Sequence, residues 1–95
     1  MTDDRRAIAP NPRCLLTELG DETGVLLHLD TKFYYTLNRT GLTLWKALSA
    51  APPKGAHELA AHLVASFSVD AETARADVDA VVEELFGEGL VTFLR

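Results

Sequence analysis

A single cysteine, Cys14, is the chain's only thiol, which excludes an internal disulfide and suits a reducing compartment. No apolar run approaches the ~20 residues needed to span a bilayer. The opening residues, MTDDRRAIAPNP, contain no apolar stretch of the kind that heads a secretory signal, so a cytoplasmic location is expected. Histidines are scarce as well. His57 and His62 stand five apart, about 140° around a helix, and His28 is distant in sequence, so the three give no metal-ligand spacing and read as surface or rim residues. Glycine is too sparse for a phosphate loop, because Gly87 and Gly89 follow a helical stretch rather than precede one. Cys14 lies in an apolar strand-like run, where a small buried hydrophobe is the default role. No catalytic residue, metal site or cofactor is expected from this inventory.

Basic residues are few, and their distribution matters more than the net charge of -5. Between Asp70 and Glu88 the chain carries Asp70, Glu72, Asp77, Asp79, Glu83, Glu84 and Glu88 against Arg75 alone. A helix of that composition is repelled by phosphates. A winged-helix DNA-binding protein is therefore the alternative reading, and no nucleic-acid partner is expected.

Ninety-five residues, 47% apolar and 24% charged, suit one globular domain. Residues 1–12, with mixed charge and then Pro10 and Pro12, read as a loose arm that becomes extended as it enters a domain spanning 13–95. The runs CLLTEL and VLLHLD, parted by the turn formers GDETG, predict a hairpin. A further short turn leads into FYYTL as a third strand. Alternation puts Phe33, Tyr35 and Leu37 on one face and Tyr34 and Thr36 on the other.

The period then becomes helical. Asn38 or Thr40 is placed to cap a helix with the stripe Leu42, Leu44, Trp45 and Leu48, ended by Pro52-Pro53. A second helix is predicted from about His57 to Phe67, with Leu59, Leu63, Val64 and Phe67 inward. Asp70 is placed to cap a third, with Val69 and Ala74 in staple positions and Gly87 or Gly89 as the stop. LVTFL reads as a short strand or an extended tail. The fold class is α+β, winged helix-turn-helix-like: a three-stranded antiparallel sheet packed on three helices, in the order βββααα.

FYYTL is the last strand of its meander and contains no proline or inward charge to blunt an edge. An edge of that kind serves as a docking rail for an added strand. On the third helix, 100° per residue places Ala74, Val78, Val81 and Leu85 toward the core. Arg75, Asp79, Val82 and Phe86 fall on one flank, Asp77 and Glu84 on the other. The first flank, apolar with one cation and one anion, is predicted to wall a groove. Core packing of Val82 and Phe86 on Leu90 and Phe93, and a solvated Arg75–Asp79 pair, are the competing roles.

HLDTKFYYTLNRTGLTLWKAL resembles the central signature of PqqD-like proteins through Tyr34, Tyr35, Leu37, Asn38, Gly41 and Trp45. The later stretch is similar through Leu59, Phe67, Val69, Asp70, Asp77, Val78, Leu85, Gly89 and Leu90. The resemblance implies a recognition element of ribosomally made, post-translationally modified peptides. Such a domain has no activity of its own; it binds a precursor's leader beside the third strand and presents it to a modifying enzyme of the protease, cyclase or radical SAM class. It implies a peptide site at Phe33, Tyr34, Tyr35, Thr36, Leu37, Arg75, Val78, Asp79 and Val82, in a stand-alone member of a lasso-peptide or related pathway. A dimerisation module or homodimer using the same sheet edge is the other alternative.

Overall fold

From Cys14 to Leu37 short apolar runs are parted by turn formers, and the computed structural model, which describes residues 6–50 and 54–94, turns those runs into a sheet. Its strands are β2 (Cys14–Glu18), β3 (Gly24–His28) and β4 (Tyr34–Leu37), preceded in the chain by the short strand β1 (Ile8–Pro10). The sheet is antiparallel in the order β2-β3-β4, with Leu15 opposite Leu27 and Leu27 opposite Tyr34. Gly24, Leu26 and His28 face inward, while Val25 and Leu27 lie half-covered on the outer face.

Three helices complete the domain, α1 (Arg39–Ser49), α2 (Ala56–Phe67) and α3 (Ala71–Gly87), with α2 packed on the other two. Each begins where a local group satisfies its orphan N–H donors. Asn38 accepts from the Gly41 N–H at 2.8 Å, Asp70 from the Thr73 N–H at 2.7 Å, and Glu58 from the Gly55 N–H at 3.3 Å. The Asp70 carboxyl is held below its ordinary pKa by these Thr73 bonds. At the far end of α3, Gly89 takes the left-handed conformation (φ +74°). Its N–H bonds the Phe86 carbonyl while the Leu90 N–H bonds the Leu85 carbonyl, a Schellman stop with buried Leu85 and Leu90 as its apolar pair. The core joins Leu26 and Leu37 of the sheet to Leu42, Leu44, Trp45 and Leu48 of α1, Leu59 and Leu63 of α2, and Ala74, Val78, Val82 and Leu85 of α3. Pro52 and Pro53, expected to end α1, lie outside the described residues; within them α1 ends at Ser49.

The termini depart from the expected loose arm. Ile8–Pro10 is a strand, and it pairs antiparallel with β5 (Val91–Phe93). Ile8 is fully buried, and its N–H also bonds the Lys54 carbonyl at 2.8 Å. One large aliphatic side chain with a core socket is enough to order a stretch that its prolines and charges mark as irregular. Residues 1–5 lie outside the described ones. Among the described residues no helix is long and apolar enough to cross a membrane.

Candidate functional site

β4 is the edge of its sheet. Its register with β3 pairs Gly24 with Leu37, Val25 with Thr36, Leu26 with Tyr35 and Leu27 with Tyr34. The His28 N–H bonds the Phe33 carbonyl at 3.0 Å. Bonded and non-bonded pairs alternate along an antiparallel ladder, so Tyr35 and Leu37 spend their backbone groups on β3. The N–H and C=O groups of Tyr34 and Thr36 therefore point away from the sheet. Among the described residues no strand lies against that side. The described parts of the chain's arm and tail bond each other in the β1–β5 ribbon.

Opposite the free edge runs α3. The cleft between them has a volume of about 500 Å³ at its centre, where Tyr35, Thr36 and Leu37 face Val81 and Glu84, with Asn38 and Gly41 at the start of α1 closing one end. Gly41 packs closely here, since a Cβ would stand 3.3 Å from both Asn38 Oδ1 and Leu37 Cδ2. Toward that end the cleft continues past Asp77, Ala80 and Val81. Toward the other it opens onto Phe33, Tyr34 and Glu88. The helix thus runs antiparallel to the strand.

The aromatic run is divided between these surroundings. Phe33 and Tyr34 are 71% and 72% exposed, which no core requires. Tyr35 is half-buried, and its hydroxyl donates to the Glu84 carboxylate across the cleft. Burial pushes the Tyr35 phenol well above the ordinary tyrosine range, and the Glu84 bond and the charges of Glu84 and Glu88 push it further. Leu37 points into the core.

The residues expected on the helical wall separate in the structure. Val78 and Val82 are 0% and 1% exposed and belong to the core. Arg75 is ion-paired with Asp79 at 2.9 Å and lines a separate pocket with His57, Ala60, Ala61, Val64 and Ala71 of the α2–α3 face. Of the four residues expected on the wall, Val78 and Val82 thus lie in the core and Arg75 and Asp79 do not line this cleft, whose helical side is Asp77, Val81, Glu84 and Glu88. The physical reason is the position of α2. It packs on α3 and meets Ala71 and Arg75 there, on a side of the helix away from the cleft, so the buried arc takes in Val82 while Val81 borders the cleft.

His28 is a second correction, since it is buried rather than at the rim. Its Nδ1 accepts from the Asp30 and Thr31 N–H groups at 3.2 and 3.4 Å, so the imidazole holds the β3–β4 turn that leads into the aromatic run. Cys14 stands opposite it in the ladder. The pair is poorly set for nucleophilic chemistry, because burial and the Asp30 charge raise the thiol pKa and leave little thiolate. No metal-holding group of three or more His, Cys, Asp or Glu side chains occurs among the described residues.

The sequence model of the PqqD family, described as coenzyme PQQ synthesis protein D, matches residues 23–91. The chain belongs to the PqqD family. The match runs from the residue before β3 to the start of β5, and so includes both walls of the cleft. The solved structure of TbiB1 in complex with the TbiA(beta) leader peptide is similar, with a TM-score of 0.77 and 26% sequence identity over 87% of this chain and 93% of that one. Lasso peptide synthetase B1 complexed with the leader peptide shares the fold, with a TM-score of 0.75 and 22% identity over 90% of this chain and 98% of that one. A search of the curated proteins finds no match.

Proposed function

We propose that this PqqD family member is a non-catalytic adaptor that takes the leader of a ribosomally made precursor peptide as an added strand on β4 and presents it to a modifying enzyme. The observation that carries the reading is the free edge of β4, with the Tyr34 and Thr36 backbone groups turned outward into a cleft walled by α3. The leader peptides bound by the two similar solved proteins support the same assignment. The enzyme's class, protease, cyclase or radical SAM, follows from the family resemblance alone. Phe33 to Leu37 form the strand side of the proposed site; Val81, Glu84, Asp77 and Glu88 form its helical side.

Magnitudes say how the two sides share the work. Two residues with outward N–H and C=O groups offer four main-chain bonds, together about 2–6 kcal/mol net before ordering costs. Micromolar affinity needs about 8 kcal/mol. Side-chain burial in the cleft must supply the remainder, which makes the binding selective for sequence rather than for any extended chain.

Thr36→Pro tests the reading. It removes an outward N–H without touching a bond to β3, and proline is tolerated at such edge positions. Leader affinity should fall roughly tenfold or more while circular dichroism is unchanged. A folded Thr36→Pro variant with undiminished affinity would remove β4 as the docking edge.

A further inference from the structure

The cleft is charged with one sign. Asp77, Glu84 and Glu88 line it along α3, and Asp21 stands at the end nearest α1. No lysine or arginine lines it among the described residues. The ion pairs formed elsewhere, Arg13–Asp30, Arg39–Glu22, Lys46–Glu18 and Arg75–Asp79, engage none of the three α3 carboxylates. Among the described residues Glu84 accepts the Tyr35 hydroxyl, an uncharged partner.

An added strand must meet this wall in a fixed pattern. Residues opposite each other in a ladder point to the same face. A guest residue opposite Tyr34 therefore continues the row Leu15–Leu27–Tyr34 across the outer face of the sheet. That row is apolar and exposed, Leu15 as well as Tyr34. Guest residues opposite Phe33 and Tyr35 point the other way, toward α3, at the levels of Glu88 and Glu84. Glu84 and Glu88 are one helical step of four apart, about 6 Å along the axis at 1.5 Å per residue. Guest residues i and i+2 are about 6.7 Å apart. The two spacings match closely enough for two guest side chains to meet both carboxylates.

Resting on the strand-addition reading, we infer that the cleft selects a cationic leader strand, with lysine or arginine at i and i+2 against Glu88 and Glu84 and an apolar residue between them against Tyr34. The long cationic side chains reach the exposed carboxylates, and the methylene stem of the one facing Glu84 lies on Val81. The alternation of charge and apolar residues fixes the guest's register, because a shift by one residue would turn both cations to the outer face.

The test selects a display library of randomised twelve-residue peptides on the immobilised full chain at low salt. Selected peptides should be enriched in Lys or Arg at two positions two apart, with an apolar residue between. Replacing both cations of a selected peptide by glutamate should weaken its binding about fivefold or more, an effect that shrinks in 0.5 M salt. Selection on an E84K/E88K chain should shift the enrichment to Asp or Glu. Should that variant fold poorly, E88K alone keeps the Tyr35–Glu84 bond and should shift the preference at one position. Enrichment of apolar strands with no charge preference would overturn the cationic selectivity and leave strand addition standing. No enrichment on a folded chain would overturn strand addition, and the selectivity with it.

Discussion

Val81 and Val82 are adjacent in sequence and face different surroundings. Val82 is 1% exposed against α2 and the core, whereas Val81 borders the cleft. Glutamate at Val82 would bury a carboxylate with no cation beside it, which costs several kcal/mol or forces the site open. Val82→Glu should therefore lose its cooperative thermal transition in calorimetry. Val81→Glu should keep that transition and lose leader affinity in a titration. Tyr35 carries a pH signature of the same site. Its phenol is raised in the fold, so the neutral form is the one the native state favours. Protons are held more tightly in the folded than in the unfolded chain above pH about 10, where a free tyrosine ionises. The Tyr35 contribution is thus fully present below pH 10 and is lost as pH rises toward the folded value. Denaturant midpoints should fall between pH 10 and 11.5 more steeply for the native chain than for Tyr35→Phe. Equal slopes would mean that neither burial nor the Glu84 bond raises the Tyr35 phenol in the fold.

Elements were legible in the sequence wherever a side chain announced its own backbone. Asn38, Asp70 and Gly89 name the helix ends through groups that cap or stop a helix, and the GDETG turn places β2 beside β3. Asn38 also joins fold and site, because it caps α1 and closes the cleft next to Gly41. Asn38→Ala should cost about 1 kcal/mol of stability, read from urea unfolding, and should weaken leader binding further by loosening the Leu37 end of the edge. The free edge of β4 was legible for the same local reason, the absence of any blunting residue in FYYTL. The rotation of α3 was not. An arc read at 100° per residue cannot separate Val81 from Val82 when both are apolar; the choice is made by α2, a neighbour whose position no local pattern specifies. His28 escaped notice because its Nδ1 partners are backbone N–H groups of a turn, which leave no trace in residue type, and its Nε2 neighbour, Asn11, is 17 residues away in sequence.

At the scale of the whole molecule, the termini decide whether β4 stays available. A 95-residue chain with an unprotected edge has an easy alternative: its own arm or tail can pair there. Here the arm is engaged by the tail, with Ile8 opposite Phe93, the Leu94 N–H bonding the Ala7 carbonyl at 2.7 Å, and Asn11 bonding Leu90 and Gly89. Arg6 lies over the Phe93 ring, itself 5.1 Å from Phe86, which places three exposed or half-exposed side chains on the clasp rather than in the cleft. The clasp and the site are therefore separable in energy. Ile8→Ala removes a fully buried side chain and should cost about 2–5 kcal/mol, a large share of the 5–15 kcal/mol typical of a domain. Its melting temperature should fall by about 4–8 °C for each kcal/mol lost. Leader affinity, measured at 10 °C where the variant is folded, should match that of the native chain, since no backbone group of β4 is bonded to β1 or β5. A tenfold loss of affinity with the fold intact would show instead that the arm shapes the cleft, and that the free edge depends on more than the clasp holding the termini away from it.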